Sequence, residues 1–112
     1  MAIGVHHLTA DEPIESGGSD AGPAPHEFLL AALGACTSMT VKMYADRKGW
    51  PLERVEVKLT MEGQGGAHTI HRRVHLQGPL DEEQRARLLE IAGKCPVHKT
   101  LTGTIAIESE LA

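Results

Sequence analysis

The run Phe28-Leu29-Leu30-Ala31-Ala32-Leu33-Gly34-Ala35-Cys36 contains no polar position. A helix without a polar face needs apolar cover on every side. The run sits inside a longer helical pattern. Pro25 suits the first helical position, where its missing N–H would be unpaired in any case. Glu27 places a carboxylate in the first turn, where the helix dipole favours it. Met39, Val41, Met43 and Tyr44 continue the apolar content, and Arg47-Lys48 followed by Gly49 is a stop signal. A helix of about 24 residues is about 36 Å long. A 100-residue domain has a radius of gyration of only about 13 Å, so this helix crosses the whole body. One small sheet covers one side of it. The economical cover for the rest is a second chain, which predicts an obligate homodimer with this helix at its centre.

The chain has 112 residues, which predicts a single domain over 1–112. Hydrophobic residues at 41% and charged residues at 23% exclude a disordered tail and a coiled coil. The unbroken apolar stretch is nine residues, too short to span a bilayer, so no membrane association is expected. No basic segment followed by an apolar one opens the chain, which points to the cytoplasm. The net charge is −4 and the aromatics are Phe28, Tyr44 and Trp50. A nucleic-acid binder needs a basic face and usually stacking rings, so nucleic acid is not an expected partner.

Around the helix the pattern is mixed. Ile3, Val5 and Leu8 predict a strand over residues 2–10, and Pro13-Ile14-Glu15 a short edge strand. Ser16 to Pro25 is a loop rich in glycine and proline. Val55, Val57, Leu59 and Met61 alternate with polar residues, as do Ile70, Val74 and Leu76, and the glycines between them make a hairpin connection. Arg72 falls on the apolar phase and is read as an edge or solvated position. Asp81 with Gln84 forms a capping box for a helix ending at Gly93. Pro96 opens a short helical turn through Leu101. Ile105 and Ile107 predict a last strand to about Leu111. The order is that of an α+β fold with antiparallel sheet.

Two cysteines carry most of the functional question. Cys36, inside the apolar helix, reads on its own as an inert core residue. Cys95 precedes Pro96 at the start of a short helix, with Lys94, His98 and Lys99 nearby, a setting that favours the thiolate. Cys95-Pro96-Val97-His98 also has the spacing of half a zinc site. His71 and His75 lie roughly 13 Å apart along one strand face, so they cannot share an ion, and no metal is expected.

The segment from Gly22 through Pro25-His26-Glu27 and Cys36-Thr37-Ser38 to Val41 resembles the first motif of the OsmC/Ohr family of peroxide-detoxifying proteins. Ala92-Gly93-Lys94-Cys95-Pro96-Val97-His98-Lys99-Thr100-Leu101 resembles the second. The resemblance implies an interlocked homodimer, with central helices clasped between antiparallel sheets from both subunits and the two thiols meeting at the subunit interface. It implies a Cys36 thiolate that attacks an organic hydroperoxide and a Cys95 that resolves the product to a disulfide. An external dithiol then resets the pair, with no cofactor, as part of oxidative-stress defence. In well-characterised branches a glutamate follows the motif proline directly and an arginine comes from the N-terminal region. Here His26 follows Pro25, Glu27 comes one place later, and no arginine precedes Arg47. The chain is most similar to a less characterised branch reading Pro-x-Glu-Leu-Leu, which makes Glu27, or His26 in its stead, the candidate partner of the thiol. The alternative is a non-enzymatic dimer of the same fold that holds a small apolar ligand.

Overall fold

The computed structural model describes residues 1–112. Residues 1–32 and 33–112 form two compact units, with the boundary inside the long helix.

In the first unit, β1 (Ala2–Ile3) pairs antiparallel with β2 (His6–His7). The expected strand over residues 2–10 is therefore a miniature hairpin that reverses at Gly4-Val5. The Leu8 N–H donates to the Met1 carbonyl at 3.0 Å, and the Met1 amine donates to the Leu8 carbonyl at 3.1 Å. The expected edge strand at residues 13–15 is instead a single 3₁₀ turn, Ile14–Ser16, closed by the Ser16 N–H on the Pro13 carbonyl. Asp11 organises the following loop. Its carboxylate accepts from the N–H groups of Ala21 (3.1 Å), Ser19 (3.0 Å) and Glu12 (2.8 Å). The bonds from Ala21 and Ser19 hold the carboxyl below its ordinary value, against a small opposing effect of burial.

Helix α1 (Pro25–Lys48) has the predicted limits. Its end is fixed by Gly49, whose φ of 71° is a left-handed conformation that a side chain would resist.

The second unit holds the main core. Strands β3 (Arg54–Gln64) and β4 (Ala67–Gln77) form an antiparallel hairpin in which Leu59 faces Arg72 across the ladder. Helix α2 (Glu82–Ala92) has the predicted capping box. The Gln84 N–H donates to Asp81 Oδ1 at 2.8 Å, and the Asp81 N–H donates to Gln84 Oε1 at 3.0 Å. Helix α3 (Pro96–Thr102) follows. Val41 and Ala45 of α1 pack with Leu52, Leu80, Leu88, Ile91 and Ala92, and Tyr44, Trp50, Val55, Val74 and Leu76 lie at the margin. The fold is α+β with antiparallel pairing, as expected.

One further expectation changes here. Residues 104–112 form no strand, and Ile105, Ile107 and Leu111 are exposed. Their alternation suits a half-buried strand, but the chain offers them no ladder partner, and a strand cannot stand without one. Within one chain, helix α1 is covered on one side. Leu33, Thr37, Val41 and Ala45 make one buried stripe, whereas Met39 and Met43 are 65% and 71% exposed. By length and composition alone α1 could cross a bilayer, which the nine-residue stretch does not convey. Val41 and Ala45 are nevertheless wholly buried in the protein core.

Candidate active site

The site is assembled from α1, β4 and α3. Thr37 lies one residue beyond Cys36 on the buried stripe of α1. Gly34, one turn earlier, lets β3 approach: a Cβ there would lie 2.8 Å from Leu59 Cδ1. Arg72 is the cross-strand neighbour of Leu59, so the same approach brings Arg72 to the helix. It shares the inward phase of β4 with Ile70, Val74 and Leu76, all half-buried, while His71, Arg73 and His75 are exposed. The reading of Arg72 as an edge or solvated residue is thus overturned. Its guanidinium donates from Nη1 to Thr37 Oγ1 and from Nη2 to His98 Nδ1, both at 3.1 Å.

Cys95 is the N-cap of α3 and is fully buried. Its sulfur accepts from the His98 N–H at 3.3 Å and lies 3.8 Å from Thr37 Oγ1. Cys36, beside Thr37 on α1, also favours the ionised form of Cys95. Burial pushes the Cys95 thiol up. The His98 N–H, the Thr37 hydroxyl, Cys36 and the charge of Arg72 together outweigh that effect, and the thiol ends below its ordinary value. Cys36 is half-buried, a free thiol like Cys95, with Thr40 Oγ1 at 4.0 Å. One thiol is therefore enclosed and held by donors, while the other is the more accessible.

The remaining sequence candidates are placed as follows. Glu27 Oε1 accepts from the Ala24 N–H at 2.9 Å, so the carboxylate closes the start of α1. His26 is exposed in the same first turn. His98 Nδ1 faces Arg72, and no third histidine, cysteine or carboxylate joins Cys95 and His98 in a metal-holding group. A cavity of about 540 Å³ has none of the thiol-site residues in its wall; Tyr44, Trp50 and Arg87 line it. There Arg87 Nε donates to Tyr44 Oη at 3.1 Å, which lowers the phenol from its ordinary value. Sequence reasoning missed Arg72 and Thr37. The available signal was an arginine on the inward phase of an otherwise apolar strand face, since a buried guanidinium requires acceptors.

The α+β scaffold thus gathers Thr37, Cys95 and His98 from two helices around the guanidinium of Arg72. The family model described as "OsmC-like protein" matches residues 17–110, and the chain belongs to that family. Among solved structures, an organic hydroperoxide resistance protein OsmC from Legionella pneumophila superposes with a TM-score of 0.69 at 21% identity, over 89% of this chain and 77% of that one. An OsmC-like protein from Mycoplasma pneumoniae gives 0.69 at 23% identity, over 82% and 69%. A Vibrio cholerae protein named for organic hydroperoxide resistance, with captopril bound in one of its active sites, gives 0.69 at 23% identity, over 88% and 72%. At these identities the likeness establishes the fold. A comparison with curated proteins gives no match.

Proposed function

We infer that this protein is a thiol-dependent reductase of organic hydroperoxides, serving oxidative-stress defence in a reducing cytoplasm. The observation that carries this reading is the Cys95 sulfur held by the His98 N–H at 3.3 Å and set 3.8 Å from the hydroxyl of Thr37, the residue next to Cys36, with Arg72 on that same hydroxyl. In the first step the Cys36 thiolate attacks the O–O bond. The S–O bond forms, O–O breaks, and the alkoxide leaves and takes a proton to become the alcohol. Cys36 is then a sulfenic acid. In the second step the Cys95 thiolate attacks that sulfur, S–S forms, S–O breaks, and hydroxide leaves to become water. An external dithiol returns the disulfide to two thiols by exchange. Apolar helix residues around Cys36 favour an alkyl peroxide, whose chain gains burial.

The working unit in this reading is a homodimer. Its support is the exposed apolar row Met39 and Met43 on α1 and the unpaired, alternating segment 104–111. Each has a sequence pattern that calls for a neighbour. Glu27 and His26 keep the candidate role of thiol partner in such an assembly.

The test is stoichiometric. With an organic hydroperoxide and a dithiol, the wild type turns over. Cys36→Ser gives no turnover, and Cys95→Ser gives one thiol oxidation followed by over-oxidation. Full turnover by both variants would rule the reading out.

A further inference from the structure

The Thr37 hydroxyl has one hydrogen and two acceptor sites. Three groups surround it: the Leu33 carbonyl at 2.6 Å, Arg72 Nη1 at 3.1 Å and Cys95 Sγ at 3.8 Å. Arg72 only donates, so it occupies one acceptor site permanently. That leaves one hydrogen and one acceptor site to be divided between Leu33 and Cys95. With Cys95 protonated, its S–H donates to Oγ1 and the Thr37 hydrogen rests on Leu33. With Cys95 ionised, the sulfur has nothing to donate, and the Thr37 hydrogen turns onto it. Releasing the Leu33 carbonyl costs little, because that oxygen keeps its helical N–H partner.

The second arm of Arg72 fixes the other side. Nη2 donates to His98 Nδ1, so that nitrogen must accept and the ring proton sits on Nε2. His98 also supplies the backbone N–H that reaches Cys95 Sγ. One planar fork therefore holds two of the groups that donate to a single sulfur. The titratable and charged groups around that sulfur are Cys36 from α1, Arg72 from β4 and His98 from α3.

We propose that Arg72 and Thr37 form a positioning relay in which Arg72 orients and polarises the Thr37 hydroxyl so that it donates to Cys95 and holds it as the resolving thiolate. This rests on the redox reading above for its purpose, but not for its measurement. The relay prepares the second chemical step: a Cys95 already ionised attacks the Cys36 sulfenic sulfur without first losing a proton. The lowered Cys95 thiol agrees with it.

The experiment follows the ultraviolet absorbance of the thiolate against pH in a Cys36→Ser background, with the Cys36→Ser/Cys95→Ser double variant subtracted. Removing the hydroxyl (Thr37→Val, or Thr37→Ala if valine is not accommodated) moves the Cys95 midpoint up by about one pH unit, the usual scale for a hydrogen bond to the charged form. Thr37→Ser leaves it in place. Arg72→Gln moves it up too, but adds less than half as much once the Thr37 hydroxyl is gone. With Cys36 restored, the same variants slow disulfide formation at pH values below the midpoint by about three- to fourfold for each pH unit it has risen, the tenfold loss of thiolate being partly offset by the greater nucleophilicity of a more basic thiol, while sulfenic acid forms on Cys36 at the wild-type rate. Circular dichroism verifies that each variant is folded. The relay is overturned if the hydroxyl-free variants titrate where Cys36→Ser does, or if Arg72→Gln has the same effect with and without the hydroxyl. No peroxide enters the titration. Absence of peroxide turnover in the wild type, with the variants' midpoints raised as expected, would sink the redox reading alone. Turnover with the midpoints unmoved would sink the relay alone.

Discussion

Met43→Glu tests the dimer at the most exposed large apolar side chain of α1. Full burial of a methionine contributes about 1.5–3 kcal/mol. Met43 retains 71% of its exposure within one chain, so about 1–2 kcal/mol remains to be gained by covering it. A two-fold interface contains the residue twice, which gives about 2–4 kcal/mol per dimer. At 1.4 kcal/mol per tenfold, the dissociation constant rises about 30- to 700-fold. An unpaired carboxylate in an apolar cover adds to that, so the range is a lower bound. Sedimentation velocity across a dilution series reads the effect directly. Wild type and Met43→Leu should remain dimeric at concentrations where Met43→Glu is monomeric. If Met43→Glu dissociates at the same concentration as wild type, the α1 face is not the interface. If wild type is itself monomeric throughout, the exposed row has been misread.

Other outcomes concern stability. Asp81→Ala removes the cap of α2 and should cost about 1 kcal/mol; an unchanged urea midpoint would contradict the capping box. Leu88→Ala opens a hole in the fully buried core and should cost about 2–5 kcal/mol, read by the same denaturation; a cost well under 1 kcal/mol would mean the core is not where it is described. The Cys95 thiol is lower folded than unfolded, so its thiolate stabilises the native state fully above the unfolded value of about 8.5. That contribution is lost as pH falls through the folded value. The stability difference between wild type and Cys95→Ala, both reduced, should therefore widen as pH rises toward about 9. A difference that stays constant over that span would deny the donors on the sulfur.

The parts of the fold written in local chemistry were legible in the sequence. Pro25, the cations Arg47 and Lys48 and the glycine after them bound α1 without reference to anything distant. Asp81 and Gln84 announce α2 in the same way, and Pro96 after Cys95 announces α3. Segments that depend on a partner were not legible. Ile105 and Ile107 have the alternation of a strand, but alternation does not supply a ladder. Ile3, Val5 and Leu8 share that pattern, yet Gly4 turns the chain between them. At the site, Cys95 stood out from its neighbours in sequence, whereas Cys36 read on its own as an inert core residue and became a candidate only through the family resemblance. Arg72 could not be named from its neighbours, because the rule that finds strands treats a charge on the inward phase as a solvated exception. Its acceptors, Thr37 and His98, lie 35 and 26 residues away, a distance that no local pattern spans.

The most direct measurement is a disulfide map of the reduced protein after substoichiometric organic hydroperoxide, by peptide mass analysis without reductant. A Cys36–Cys95 linked peptide, formed in proportion to peroxide added and lost again with dithiol, is the predicted result. Peptides carrying both thiols unmodified, or a sulfinic Cys36 beside a free Cys95, would contradict it.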